Sequence, residues 1–149
     1  MKYVNLTDNL LRQVCQRLGQ DRNLIHVGLE FVTPEEITSL NKEFRGKDKP
    51  TDVLSFPLLD LKGGEVITPK NFPLDTHPET GRVELGDVVI CLDVAIKQAS
   101  EHGHGAKREI AFLYVHGVLH LFGYAHDTRE DEIRMNSMTE AILKGANIE

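Results

Sequence analysis

Only two cysteines, Cys15 and Cys91, occur among 149 residues. They lie far apart within apolar patterns, which excludes a disulfide framework and reads them as small buried side chains. That usage fits a reducing compartment, so the cytoplasm is the expected location. No apolar run reaches the roughly 20 residues of a membrane span, and no basic segment followed by a hydrophobic one stands at the start; neither a membrane nor export is expected. An excess of positive charge is also missing. The formal net charge of −6 argues against a protein that coats nucleic acid nonspecifically, while leaving room for a local cationic patch. No internal repeat or low-complexity segment interrupts the chain. With 40% hydrophobic and 27% charged residues, it reads as one ordinary domain over 1–149, long enough for a real core.

The periodicities are mixed. Residues 2–6 read as a short strand, and Asp8 as the cap of a helix carrying Leu10, Leu11, Val14, Cys15 and Leu18, stopped by Gly19. Ile25, Val27, Leu29 and Phe31 alternate with His26, Gly28 and Glu30, a half-buried strand with His26 on its other face. Thr33-Pro34-Glu35-Glu36 marks a helix start, with Thr as cap, Pro at the first position and Glu at the third. Ile37, Leu40, Asn41 and Phe44 share its face, and Gly46 closes it. Val53 to Phe56 is a short strand ended by Pro57. Residues 58–82, rich in proline and glycine, read as a long surface excursion with room for a small hairpin. The continuous apolar run Val88 to Leu92 predicts a central strand buried on both faces. Asp93 is expected to cap a helix to about Glu101, His102-Gly103-His104-Gly105 to break it, and a second helix to start near Ala106. Asp127 or Thr128 caps a last helix, with Ile133, Met138, Ala141 and Ile142 inward and Gly145 at its end. The sum is an α+β fold: a small mixed sheet of about four strands packed with helices.

The chemistry concentrates in His116-Gly117-Val118-Leu119-His120-Leu121-Phe122-Gly123-Tyr124-Ala125-His126, which holds three of the seven histidines. A gap of four on a helix stacks His116 and His120 one turn apart, so both imidazoles can grip one ion. Gly123 can end that helix and let His126 fold back to the same ion. Three imidazoles suit one Zn²⁺ and leave a fourth position for water. A three-His metal site at the end of a helix in the C-terminal half is therefore expected. The same His-x-x-x-His-x-x-Gly-x-x-His frame belongs to metzincin metalloproteases, with Met135 and Met138 downstream where they keep a methionine turn. Those proteases place Glu directly after the first histidine as the base; here Gly117 stands there, and glycine is no base. The metal can still lower the pKa of water to about 7 and polarise a phosphoryl or carbonyl oxygen.

Arg45-Gly46-Lys47-Asp48-Lys49 is the best cationic candidate, with three positive charges on a helix-to-strand connection. Its plain reading is a solvated turn; its functional one is a phosphate handle, for which the planar fork of Arg45 is well built. Asp87 and Glu109 are candidates for acid–base work, and His102 and His104 are weaker metal candidates on a Gly-flanked loop. His26 and His77 are expected to face water.

Arg45-Gly46-Lys47-Asp48-Lys49-Pro50-Thr51-Asp52-Val53-Leu54-Ser55-Phe56-Pro57 and the stretch from His116 to His126 closely resemble the two signature motifs of the YbeY family. Leu85-Gly86-Asp87-Val88-Val89-Ile90-Cys91 looks like the segment between them, and the resemblance covers roughly residues 35–142. It implies a bacterial, zinc-dependent, single-strand-specific endoribonuclease. Such an enzyme is concerned with ribosomal RNA maturation, notably the 3′ end of the small-subunit RNA, and with ribosome quality control. Single-stranded RNA, ribosomal RNA or the ribosome, and ribosome-associated proteins are the implied partners. Carried over by position, His116, His120 and His126 are the ligands of one zinc ion, and Arg45 engages substrate phosphate. Catalysis is then expected of Arg45 and His116, and substrate binding of Arg45, Lys47 and Lys49. One departure stands out: the family's Gly-Tyr-Asp-His reads Gly123-Tyr124-Ala125-His126 here, with Asp127 directly after. A metzincin-like metalloprotease and a non-catalytic, metal-stabilised ribosome adaptor are the rival readings.

Overall fold

The structure, a computed structural model, describes residues 3–125 and 127–148. Helix α1 (Val4–Leu18) opens the chain, with Tyr3 at its N-cap and Gly19 (φ +69°) at its C-cap. Of the strand expected over residues 2–6, Lys2 lies outside the described residues and Val4 to Leu6 are helical, and Asp8 lies inside the helix rather than capping it. A lone strand there needs a neighbour for its N–H and C=O groups, whereas a helix pairs its own. Leu6 also falls one turn before Leu10, on the face packed against the core.

A short 3-10 turn (Arg22–Leu24) leads into β1 (Ile25–Val32). Helix α2 (Pro34–Arg45) begins with a complete capping box: Glu36 N–H donates to Thr33 Oγ1, and Thr33 N–H to the Glu36 carboxylate, each at 3.2 Å. Strand β2 (Val53–Pro57) and the excursion follow, then β3 (Val83–Cys91), α3 (Leu92–His102), α4 (Ala106–Leu121) and α5 (Arg129–Gly145).

Among the described residues the sheet has three strands, ordered β1-β3-β2, not about four, because the first segment went to helix. Strand β3 runs parallel to β1 and antiparallel to β2, so the apolar run does sit centrally. The two faces of β3 part by its period of two. Val88 and Ile90 join the main core with α1, α4 and α5; Val89 and Cys91 join a smaller one with Ile37 of α2. Helix α4 is apolar almost all round, as a helix enclosed by neighbours must be, and touches α1, α3, α5, β2 and β3.

Several finer expectations shift. Asp93 lies in the first turn of α3, with Cys91 at the N-cap. Thr128, not Asp127, caps α5 by accepting from Asp131 N–H at 3.1 Å. Ile133 is 55% exposed; the inward face of α5 is Met135, Thr139, Ile142 and Leu143. Two residues of helical rotation carry Ile133 to the opposite side of Met135. The excursion over 58–82 is anchored rather than loose. Ile67 is buried, and the Gln20 side chain donates to the Glu65 carbonyl (2.7 Å) and accepts from Ile67 N–H (3.0 Å). Its small hairpin reduces to one bridge, Thr76 to Val83, closing the turn between His77 and Arg82.

Both cysteines are free and buried. Burial pushes the Cys15 thiol up to about 11, with Arg22 partly offsetting it. Ellman's reagent at pH 8 is expected to label neither thiol in the native protein and both in denaturant. A thiol held neutral by folding stabilises the fold below its ordinary value of 9.0; that contribution is lost as pH rises towards about 11. Thr33→Ala should lower stability by about 1 kcal/mol in urea unfolding, since it removes the cap of α2.

Candidate active site

His116 and His120 lie one turn apart on α4, their ring centroids 5.1 Å apart and their planes at 76°. Phe112, one turn earlier, stacks on His116 at 5.7 Å and 15°. Both histidines are half-buried and line an open cleft of about 540 Å³. The rest of its lining comes from the end of α2, the loop before β2 and β2 itself, including Arg45, Asp52 and Ser55. His126 lies outside the described residues.

Arg45 reaches this cleft because of how α2 ends. Gly46 takes the left-handed conformation (φ +69°) and donates to Lys42 O, while Lys47 N–H donates to Asn41 O at 3.3 Å. This makes Arg45 the last helical residue. The buried Asn41 then donates its amide to Lys49 O at 2.8 Å, fixing the loop before β2. Lys47 and Lys49 line a neighbouring hollow of about 350 Å³ that shares Arg45 and Asp52 with the cleft. Among the described residues no ion pair engages Arg45, Lys47 or Lys49; Asp48 pairs with Lys42 at 3.9 Å instead.

At Gly117 the helix lies hard on the sheet. A Cβ there would meet Val88 Cγ1 at 2.9 Å and Ser55 Oγ at 3.1 Å, and the Ser55 hydroxyl donates to the Gly117 carbonyl at 3.2 Å. The position where a protease carries its glutamate base therefore takes a side chain only if Val88 gives way. After α4, Gly123 (φ +94°) turns the chain; a Cβ on it would collide with the Leu61 carbonyl of the excursion. The excursion thus packs under the turn that leads to His126.

A second group forms at the other end of α4. The buried Glu109 carboxylate accepts from His102 Nδ1 (3.0 Å) and His104 Nε2 (2.7 Å). These three side chains could hold a metal ion.

A family model described as Endoribonuclease YbeY matches residues 1–147. The chain belongs to the YbeY family. Relatives described as endoribonuclease YbeY include one from Acetivibrio thermocellus, 39% identical over 98% of this chain and 92% of its own. Another, from Symbiobacterium thermophilum, is 41% identical over 95% of this chain and 87% of its own. The solution structure of TM1509 from Thermotoga maritima superposes with a TM-score of 0.59 at 25% identity, covering 99% of this chain and 87% of that one.

Within this YbeY chain the structure sorts the acid–base candidates. Asp87 is exposed on the α2 face of the sheet, opposite Val88 and α4, so it is not brought to the cleft. Glu109 is taken up by His102 and His104. The carboxylate among the described residues of the cleft wall is Asp52, for which no role was expected. Its Oδ1 accepts from Val53 N–H at 2.7 Å and from the Thr51 hydroxyl at 3.3 Å. Its place at the start of β2, a few residues after Arg45, was the available signal. His26 is exposed and bonded to Glu84 at 2.7 Å, and His77 accepts from Glu79 N–H at 3.1 Å within its turn.

Gly117→Ala should gain roughly 1 kcal/mol of helix propensity but lose roughly 1–3 kcal/mol to overpacking against Val88. The expected net result is a loss of up to about 2 kcal/mol in denaturant unfolding. Gly117→Glu, which adds a buried carboxylate, should fall further and confer no peptidase activity.

Proposed function

We propose that this YbeY family member cuts single-stranded RNA hydrolytically, with one zinc ion held by His116, His120 and His126. Ribosomal RNA is the proposed substrate, notably the 3′ end of the small-subunit RNA, in a cytoplasmic role that includes ribosome quality control and contact with ribosome-associated proteins. The observation that carries this reading is the shared cleft: Arg45 and the His116–His120 pair, far apart in sequence, both line it. No helix among the described residues is long and apolar enough to cross a membrane.

The donor set suits the metal, since two imidazoles one turn apart on a half-buried wall match nitrogen ligands that zinc prefers. When bound, zinc lowers the pKa of water to about 7 and polarises a phosphoryl oxygen. The chain's own residues supply the rest. The Arg45 guanidinium offers two parallel N–H donors to the phosphate and stabilises the charge that builds on it. Asp52 Oδ2, for which no hydrogen bond is present among the described residues, is the proposed proton acceptor of the cleft lining. Phe112, in the cleft lining, supplies an aromatic surface of the kind on which unpaired bases stack, and Lys47 and Lys49 extend the positive charge into the neighbouring hollow. The peptidase reading loses support at Gly117, where a base fits only if Val88 gives way.

In a cleavage assay on single-stranded ribosomal RNA, Arg45→Ala should lower kcat/KM by about 10–100-fold, because its charge-assisted hydrogen bonds to the phosphate disappear. His116→Ala should remove activity and the cleft's own metal ion together. Substituting Lys47 and Lys49 together with Ala should raise KM and flatten the salt dependence, by roughly 0.7 in the log–log slope for each phosphate no longer neutralised. Full activity in His116→Ala, or wild-type protein active without any metal, would sink the mechanism. A folded His120→Ala variant that still supports ribosome function in cells would favour the adaptor instead.

A further inference from the structure

The cluster at the start of α4 has the make-up of a metal site of its own. His102 is the last residue of α3, Gly103 (φ +73°) reverses the chain, and His104 follows before α4 begins at Ala106. Glu109 sits in the first turn of α4, beside an N-terminus that Gly105 leaves without a side-chain cap. Both imidazoles point a ring nitrogen at one carboxylate oxygen, at 3.0 and 2.7 Å, and their ring centroids are 5.6 Å apart. The three ligand atoms all lie within 4.8 Å of one another.

Burial and access are divided in a useful way. The Glu109 side chain is 5% exposed, whereas those of His102 and His104 are 56% and 28% exposed. The anionic donor is thus held from within, and an ion can arrive from the solvent side. A carboxylate this deep ordinarily has a full set of partners, because burying unpaired charge is costly. Without a metal, both imidazole contacts fall on a single oxygen. Two nitrogens and one carboxylate oxygen form a donor set typical of zinc, with a fourth position left for water. Each imidazole need only shift its proton to the other ring nitrogen to present a lone pair.

We propose that His102, His104 and Glu109 bind a second divalent cation of the zinc class, which clamps the turn between α3 and α4. Glu109 lies seven positions before His116, which at 1.5 Å per residue is about 10 Å along the helix axis. Two-metal catalytic centres hold their ions about 3.5–4 Å apart, so this ion is independent of the cleft. Its effect is to tie the end of α3 to the helix that carries His116 and His120. Three protein donors and a water hold an ion less firmly than four protein donors, so the clamp is exchangeable.

The test uses chelator-treated full-length protein and Zn²⁺ alone, read by calorimetry and thermal unfolding. Wild type should bind two ions per chain. A His116→Ala/His120→Ala background should still bind one, with Tm rising by about 5–10 °C at a hundredfold excess over Kd. Adding His102→Asn and His104→Gln, which remove the zinc-class ligands while keeping donors for Glu109, should abolish both signals. No binding in the background variant, or equal binding after those further substitutions, overturns the proposal. Should the combined variant unfold, imidazole NMR of wild type decides. The ring signals of His102 and His104 must shift together with added Zn²⁺, and their failure to shift at saturation also overturns the proposal. The site stands apart from the three-His reading: one ion in both wild type and background would remove that reading and leave this one intact.

Discussion

The cleft exists because α4 lies so closely on β2 and β3. At Gly117 the helix backbone meets the Val88 side chain and the Ser55 hydroxyl with no side chain between them. That contact fixes both the height and the rotation of α4 on the sheet. One turn of helix then sends His116 and His120 along its edge towards β2, while Val118 and Leu119 enter the core. A larger residue at 117 would lift the helix and move both imidazoles relative to the rest of the cleft lining. The glycine that denies the protein a protease base therefore also sets its site.

The rest of the lining depends on a different set of local devices. The capping box at Thr33 starts α2 and the left-handed Gly46 ends it, so Arg45 emerges at a defined place. Asn41 then holds the loop at Lys49, and Asp52 is tied to the start of β2. Because β2 lies beside β3, and β3 lies under α4, these pieces converge on one cleft. The turn after α4 is braced by the excursion at Leu61 and Gly63, against Gly123 and Tyr124. A segment that looks dispensable by composition is thus part of the site's support.

Positive charge gathers locally on an acidic chain. A chain with a net charge of −6 cannot rely on a general attraction to nucleic acid. Arg45, Lys47 and Lys49 instead stand together without ion pairs among the described residues, which concentrates the cationic field beside the imidazoles.

Most of the secondary structure was legible in the sequence, because caps, turn residues and period-two alternation are local signals. The α2 capping box, the Gly46 stop, the central strand and the α3–α4 break all follow from neighbouring residues alone. Residue type and spacing singled out Arg45, His116 and His120 as candidates, and these three line one cleft. Tertiary structure decided what local pattern cannot carry. The N-terminal segment became helix, which sets Leu6 and Leu10 on one face against the core, and Ile133 turned outward because the helix presents Met135 to the core. It also placed Asp52 on the cleft wall, put Asp87 on the far face, and closed His102 and His104 on Glu109. The physical reason is the same in each case. Spacing along a chain specifies which side chains share a face, but the packing of one element on another specifies what that face meets.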